Sequence, residues 1–219
     1  MATLEHLIRE PAGSPEGALI LNHGRGSDER DLYGLLDELD PERRLLGVTT
    51  AAPLTGIPPG GKHWYVVARV GYPDPRTFYA SYERLAAFAD ELLAERGVGW
   101  ERSMIGGFSM GAVMSYAVAL GPGRPSPAGV IALSGFVPTV EGWHPELEDR
   151  AGLKVLIHHG RQDPIIEPGF GRQANELLSG AGLDVDFLET EAGHWVPPEA
   201  LDRARALVAS ALGDRSRQS

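Results

Sequence analysis

The sequence predicts an α/β protein with a mostly parallel sheet that carries helices on both faces. Short, continuously apolar runs such as residues 18–21 are typical of strands buried on both faces. These runs alternate with segments such as residues 76–96, whose apolar residues recur at helical spacing, and such alternation favours parallel strand pairing. A third observation is a glycine-flanked serine, Ser109, which stands between an apolar run and an Ala-rich run.

In the first half of the chain, the pattern predicts strands at residues 3–9, 18–21 and 45–52. A helix with regularly spaced leucines follows the second strand, with Ser27 or Asp28 as its N-cap and Asp40-Pro41 as its end. Residues 53–75 are rich in proline, glycine and aromatic residues. Long loops in compact domains are typically functional or disordered, and the aromatic content favours a substrate-facing loop. An amphipathic helix over residues 76–96 follows.

The second half repeats the alternation of strands and helices. The strand before Ser109 is followed by further predicted strands at residues 128–134, 153–159 and 185–188. The predicted helices cover residues 112–120, 170–179 and 198–212. We find no internal repeat and no linker, and therefore predict a single domain over residues 1–219 without a large cap domain.

Composition and charge exclude several classes of function. The 219 residues carry a net charge of −10 without a basic cluster, so we predict no nucleic-acid partner. The chain has no cysteine, which excludes disulfides, thiolate metal sites and a cysteine nucleophile. No apolar run approaches the length of a membrane span, and the first residues lack the pattern of a signal peptide. We therefore predict a cytoplasmic protein with no membrane span.

The serine at position 109 lies in the motif Gly107-x-Ser109-x-Gly111, with a predicted strand before it and a predicted helix after it. This context is the one that a nucleophile elbow requires. The serine backbone is strained at such a turn, and glycine neighbours let the strand and the helix approach closely. We therefore predict that Ser109 is a nucleophile.

A serine hydroxyl needs a base to accept its proton, and a carboxylate that orients the base. His194 follows a glycine in the loop after the last strand, and Asp163 comes just after the preceding strand. Taken singly, an aspartate in a turn is more often a cap, and a histidine beside a tryptophan more often packs. The chain order Ser, Asp, His is nevertheless that of alpha/beta hydrolases, so we predict the triad Ser109, Asp163 and His194.

A tetrahedral oxyanion needs donors that are already in place. The N–H of Met110 directly follows the nucleophile at a helix N-terminus, and the Arg25 N–H lies in the glycine-rich loop after the strand at residues 18–21. The alternative is that the loop His23-Gly24-Arg25-Gly26 binds phosphate. It lacks the Lys-Ser/Thr of a P-loop and the spacing of a dinucleotide site, so we predict an oxyanion hole formed by Arg25 and Met110.

The remaining histidines do not form a metal site. His158 and His159 are adjacent in a strand, so their side chains point to opposite faces, and no spacing resembles that of a zinc site. His23 more plausibly braces the oxyanion loop by hydrogen bonding than reacts. Five aromatic residues are predicted to line an acyl or alcohol pocket, although core or rim packing explains each equally well: Trp64, Tyr72, Phe136, Trp143 and Trp195.

Six motifs spread along the chain resemble those of one family. They are His23-Gly24-Arg25-Gly26, Ala52-Pro53 before a loop with Trp64-Tyr65, Gly107-Phe108-Ser109-Met110-Gly111, Leu133-Ser134-Gly135, His159-Gly160-Arg161-Gln162-Asp163-Pro164 and Gly193-His194. In this combination the chain resembles the bacterial carboxylesterase/phospholipase group of small alpha/beta hydrolases, which are related to acyl-protein thioesterases.

The resemblance implies an alpha/beta-hydrolase fold, the same triad and oxyanion donors, and no metal or organic cofactor. Because homodimers occur in such families, both a monomer and a homodimer stay open. Thioesterase-like members usually carry an apolar residue where this chain has Arg25, and an acid where it has Val66. These departures do not change the predicted type of reaction, but they argue against a long-chain acyl-protein substrate.

The sequence therefore predicts a serine carboxylesterase that acts on a small-molecule ester through an acyl-enzyme on Ser109. Acyl thioesterase or lysophospholipase activity with the same triad is the nearest alternative. A non-catalytic binding protein on a hydrolase scaffold is an alternative of another class, but such proteins typically lose a triad member, and none is missing here.

Overall fold

The computed structural model describes residues 4–213, and in this part of the chain a seven-stranded sheet carries helices on both faces. The strands of this sheet are β1 (His6–Arg9), β2 (Gly17–Asn22), β3 (Leu45–Thr50), β6 (Ser103–Phe108), β7 (Gly129–Leu133), β8 (Lys154–Gly160) and β9 (Asp184–Thr190). The two short strands β4 (Val67–Arg69) and β5 (Tyr72–Pro73) pair separately. The helices are α1 (Tyr33–Leu39), α2 (Pro75–Glu95), α3 (Met110–Leu120), α4 (Gly169–Gly180) and α5 (Pro198–Gly213).

The order of the strands is β1-β3-β2-β6-β7-β8-β9. Only the edge pair β1–β3 is antiparallel among the described strands of this sheet, and every other neighbouring pair is parallel. The chain therefore has the alpha/beta-hydrolase fold that the sequence predicts, with no large cap among the described residues. The carboxyl ends of the central strands β2, β6, β7 and β8 lie side by side, where ligands bind in sheets of this kind.

Both faces of the sheet are buried, which explains why the strands read as continuous apolar runs. On one face, Ile20, Ile105 and their neighbours pack with helices α2, α3 and α4. On the other face, Leu19, Met104 and their neighbours pack with α1 and α5. Among residues 4–213, no helix is long and apolar enough to cross a bilayer.

Two local predictions are wrong. Neither Ser27 nor Asp28 caps α1, because α1 begins only at Tyr33 and no side chain forms an N-cap hydrogen bond there. The Asp28 carboxylate instead accepts the Arg30 N–H at 2.8 Å in an earlier turn. The segment 53–75 is not wholly irregular, since β4 and β5 form an antiparallel ribbon that turns at Gly71, where φ is +84°. Such short strands with polar ends leave no alternating pattern in the sequence.

Candidate active site

The turn that carries Ser109 joins β6 to α3 and is strained. Ser109 has φ +54° and ψ −118°, a conformation that costs a residue with a side chain about 1–3 kcal/mol. Its N–H donates to Leu133 O at 2.8 Å, which ties the turn to the neighbouring strand. A Cβ on either Gly107 or Gly111 would overlap the carbonyl oxygen of Asn22. Both glycines are therefore needed for β2, β6 and α3 to meet at this point.

The structure brings Ser109, Asp163 and His194 together, although 85 residues separate the serine from the histidine. His194 Nε2 lies 2.9 Å from Ser109 Oγ, and His194 Nδ1 lies 2.7 Å from Asp163 Oδ2. An ionised carboxylate only accepts hydrogen bonds, so Nδ1 carries the proton, and Nε2 is free to accept the hydroxyl proton. This arrangement can remove a proton from the serine as it attacks an electrophile.

The carboxylate of Asp163 is buried and fully engaged. Its Oδ1 accepts the N–H groups of Ile165 at 2.8 Å and Ile166 at 2.9 Å, while Oδ2 accepts from His194. Burial alone would raise the pKa of Asp163, but the hydrogen bonds from His194, Ile166 and Ile165 hold it below the ordinary value for an aspartate. The group is therefore ionised at neutral pH and able to stabilise an imidazolium.

A second histidine lies beside this carboxylate. His159 is fully buried at the end of β8, and its Nε2 donates to Ile166 O at 2.9 Å while lying 3.5 Å from Asp163 Oδ2. His159 thus fixes the turn that carries Asp163 and leaves the carboxylate in place. Sequence reasoning missed this role, and the only signal was the four-residue spacing between His159 and Asp163.

The two predicted oxyanion donors lie at the same site. Met110 is the first residue of α3, so its N–H has no carbonyl partner within the helix, and the positive end of the helix dipole lies there. Met110 and Arg25 both line the cavity that contains Ser109 and His194. These backbone donors can therefore serve an oxygen that develops negative charge beside Ser109.

Two buried side chains hold the loop that carries Arg25. His23 Nε2 accepts the Ala52 N–H at 3.0 Å, so its Nδ1 carries the proton and donates to Gly24 O at 2.6 Å. Burial lowers the pKa of His23, although its hydrogen bond to Gly24 works against this shift. Trp64 Nε1 donates to His23 O at 3.0 Å. The loop is therefore braced from both sides, and a neutral His23 fits the bracing role that the sequence predicts.

The cavity in front of Ser109 measures about 400 Å³. Tyr72 and Phe136, two of the five aromatic residues predicted to line a pocket, belong to its lining. The ribbon β4–β5 supplies a further part of the wall through Val67, Val70 and Gly71. The cavity thus has room for a small-molecule ligand, and part of its wall next to Ser109 and His194 is apolar.

The other three predicted pocket residues do not line this cavity. Trp64 is fully buried, and its indole N–H donates to the backbone oxygen of His23. Trp143 is also buried and belongs to the core cluster around α2 and α3. Trp195 is 54% exposed, although it directly follows His194. Sequence position alone could not show which of these indoles faces solvent, core or cavity.

Among the described residues, no group of three or more His, Asp or Glu side chains is arranged to hold a metal ion. His158 bonds through Nε2 to Thr190 Oγ1 at 3.0 Å. His159 faces Asp163 and Ile166 as described above. The two adjacent side chains thus lie on different faces of the sheet, as strand geometry requires.

Comparison with known proteins agrees with this architecture. The sequence profile of the phospholipase/carboxylesterase family matches residues 4–211. An acyl-protein thioesterase 1 from Debaryomyces hansenii is 34% identical over an alignment of 194 residues, and the match covers 80% of this chain and 82% of the relative. A putative hydrolase of Bacillus subtilis, MhqD, is 27% identical, and the match covers 95% of this chain and all of the relative. A Bacillus cereus carboxylesterase structure superposes with a TM-score of 0.84 at 21% identity, covering 96% and 95% of the two chains.

Proposed function

Because the chain belongs to the phospholipase/carboxylesterase family and is a hydrolase, we propose that it is a serine carboxylesterase with Ser109 as its nucleophile. The observation that carries the proposal is the continuous hydrogen-bonded path from Ser109 Oγ through His194 to Asp163, with distances of 2.9 and 2.7 Å. The position of Ser109, His194 and Asp163 along this path determines the role that we propose for each residue.

In the first half of the proposed reaction, Ser109 Oγ attacks the ester carbonyl while His194 Nε2 accepts its proton. The N–H groups of Arg25 and Met110 stabilise the oxyanion, and each such donor contributes on the order of 3 kcal/mol. His194 then gives the proton to the leaving alcohol, and an acyl group stays on Ser109. In the second half, water attacks this acyl-enzyme with His194 again acting as the base.

Thioester hydrolysis by the same residues is a second candidate, favoured by the 34% identical relative that is named an acyl-protein thioesterase. The two activities share the acyl-enzyme and differ in the leaving group. Turnover of an ester, a thioester and a lysolipid with the same acyl chain separates carboxylesterase, thioesterase and lysophospholipase. The single domain over residues 1–219, the cytoplasmic location and the choice between monomer and homodimer stay predictions.

The proposal is tested by Ser109→Ala. We expect this variant to lose hydrolysis of 4-nitrophenyl butanoate by about 10⁴-fold or more in kcat, because it lacks the hydroxyl that is hydrogen-bonded to His194 Nε2. Ser126→Ala, at an exposed serine outside the cavity, is the control and is expected to keep the wild-type rate. A folded Ser109→Ala protein with wild-type activity would contradict the proposal.

A further inference from the structure

The wall of the cavity is divided by polarity, and the order of the strands explains the division. The elbow strand β6 lies between β2 on one side and β7 and β8 on the other. On the β7–β8 side, the lining consists of the apolar residues Phe136, Ile165 and Ile166. On the β2 side, the loop after β2 contributes Arg25 and other polar residues instead.

A second guanidinium reaches the cavity from the ribbon. Arg69 in β4 lines the cavity, and its guanidinium carbon lies 3.6 Å from the centre of the Tyr72 ring. The guanidinium of Arg25 donates to the backbone oxygen of Pro58 at 3.1 Å. Both arginines are thus oriented by neutral partners, which leaves their charges uncompensated. A guanidinium stacked on an aromatic ring keeps its in-plane N–H groups for a carboxylate or phosphate.

These two arginines differ from most others in this acidic chain. Elsewhere the guanidinium groups are typically paired with carboxylates, as in Arg9 with Asp40, Arg44 with Glu16, Arg96 with Glu10, Arg124 with Asp90 and Arg161 with Glu191. Within residues 4–213, no carboxylate lies within ion-pair distance of Arg25 or Arg69. Because the chain has a net charge of −10, two unpaired cations at one cavity are a specific feature of that site.

One acidic group belongs to the same wall. Asp31 lines the cavity and is exposed, but it forms no ion pair with either arginine within the described part of the chain. Tyr65 also lines the cavity, and burial raises the pKa of its hydroxyl, so that this group stays a neutral hydrogen-bond donor. The lining thus sets two cations against one carboxylate, and this charge balance favours an anion.

We propose that the ester hydrolysed here carries an anionic group, a carboxylate or a phosphate, which binds Arg25 and Arg69, while its apolar part packs against Phe136, Ile165 and Ile166. This inference rests on the proposed function and adds the chemical class of its substrate. The anion lies on the acyl arm or on the alcohol arm of the ester, and the two positions are separable by experiment.

The test compares matched pairs of esters in the full-length protein. For the acyl arm, the pair is the 4-nitrophenyl monoester of adipic acid and its methyl ester, which differ in one negative charge. For the alcohol arm, the pair is the butanoate ester of 3-hydroxybenzoate and that of methyl 3-hydroxybenzoate. The readout is the ratio of kcat/KM for the charged ester to that for the neutral ester, since intrinsic reactivity cancels when variants are compared.

We expect Arg69→Gln and Arg25→Gln each to lower this ratio by about five- to twentyfold in at least one of the two pairs, because a charge-assisted hydrogen bond is lost. Raising the salt concentration to about 0.5 M should lower the wild-type ratio in the same pair, since salt screens charges that water can reach. Arg84→Gln removes one exposed arginine outside the cavity and should leave the ratio within about twofold.

Equal ratios in the wild type and both arginine variants, for both pairs, would overturn the inference. If neutral esters were still hydrolysed in a Ser109-dependent way, the proposed esterase function would stand, and only the inference of an anionic substrate would fail. If the wild-type protein hydrolysed none of the four esters, both would be overturned. The two failures are therefore distinguishable.

Discussion

Asp163 is held by hydrogen bonds from several parts of the site. It accepts hydrogen bonds from two backbone N–H groups and from His194, and His159 holds the same turn through Ile166 O. Each of these contacts fixes the carboxylate, and the carboxylate fixes the tautomer of His194. The imidazole of His194 is thus oriented by a carboxylate that backbone N–H groups hold in place.

The role of Asp163 predicts the effect of Asp163→Asn. The side-chain oxygen of the amide can still accept from Ile165 and Ile166, so we expect the fold to be retained. Its NH₂ group would face His194 Nδ1 and favour the wrong tautomer, and kcat should fall by about 10⁴-fold. Steady-state kinetics with a 4-nitrophenyl ester measures this. A folded Asp163→Asn protein with less than tenfold loss would argue against the assigned role.

Individual residues differ in how far the sequence could predict them. The clustering of Ser109, Asp163 and His194 was predictable because each residue has a distinct chemistry and follows a predicted strand. The bond from His159 to Ile166 O and the bond from Trp64 to His23 O were not predictable. They join residues 7 and 41 positions apart, and only the folded chain defines their geometry.

At the scale of elements, the edge strand β1 is joined to α1 by a buried ion pair. Arg9 and Asp40 are each 3% exposed, and Arg9 Nη2 lies 2.6 Å from Asp40 Oδ2. Arg9 also donates to the carbonyl oxygens of Leu36, Asp40 and Leu45. Asp40 in turn accepts the backbone N–H groups of Leu45 and Arg44. The pair thus links β1, the end of α1 and the start of β3.

We expect Arg9→Ala to lower the free energy of unfolding by about 3–5 kcal/mol, because it leaves a buried carboxylate without its counter-charge. The matched control is Arg96→Ala, which removes a solvent-accessible arginine paired with the exposed Glu10 and should cost about 1 kcal/mol or less. Urea denaturation measures both. Similar losses in the two variants would show that burial of the Arg9 pair does not matter.

The elements of the sheet were predictable to within a few residues because continuous apolar runs have one simple explanation, burial on both faces. The ribbon β4–β5 was missed because β4 has three residues and β5 has two. Strands this short show no alternation of buried and exposed side chains in the sequence. The start of α1 was misplaced because Ser27 and Asp28 are good caps in general, whereas here Asp28 stabilises a preceding turn.

At the scale of the whole molecule, buried histidines make stability depend on pH. His158 is fully buried, and burial, followed by the neighbouring His159, lowers its pKa from 6.5 to about 4. Burial also lowers the pKa of His159 and of His23. Between pH 6.5 and 4 the unfolded chain therefore binds protons that the folded chain does not, and the free energy of unfolding falls as the pH falls.

For His158 alone, the difference in pKa corresponds to about 3 kcal/mol between pH 6.5 and 4. We expect His158→Gln to give a shallower dependence of unfolding free energy on pH over this range, whatever its effect at pH 7.5. Ser126→Gln, at an exposed residue that does not titrate in this range, is the control and should leave the slope unchanged. Urea titrations at several pH values measure the slopes, and a wild-type slope in His158→Gln would contradict the assignment.

The arrangement of the cavity is also a property of the whole molecule. The sequence placed the loops after the strands at one edge of the sheet, but the division of the wall into a polar and an apolar side follows from the spatial order of β2, β6, β7 and β8. Along the chain β3, β4 and β5 come between β2 and β6, whereas in the sheet β2 and β6 are neighbours, and local patterns could not predict this pairing.

The central claim is that Ser109 is the nucleophile of a serine hydrolase. The most direct measurement is mass spectrometry after reaction with a fluorophosphonate, which phosphonylates an activated serine and no ordinary one. The account predicts one adduct per chain, located on the peptide that contains Ser109 and absent from Ser109→Ala. An active wild-type protein that stays unlabelled, or an adduct located on another serine, would contradict it.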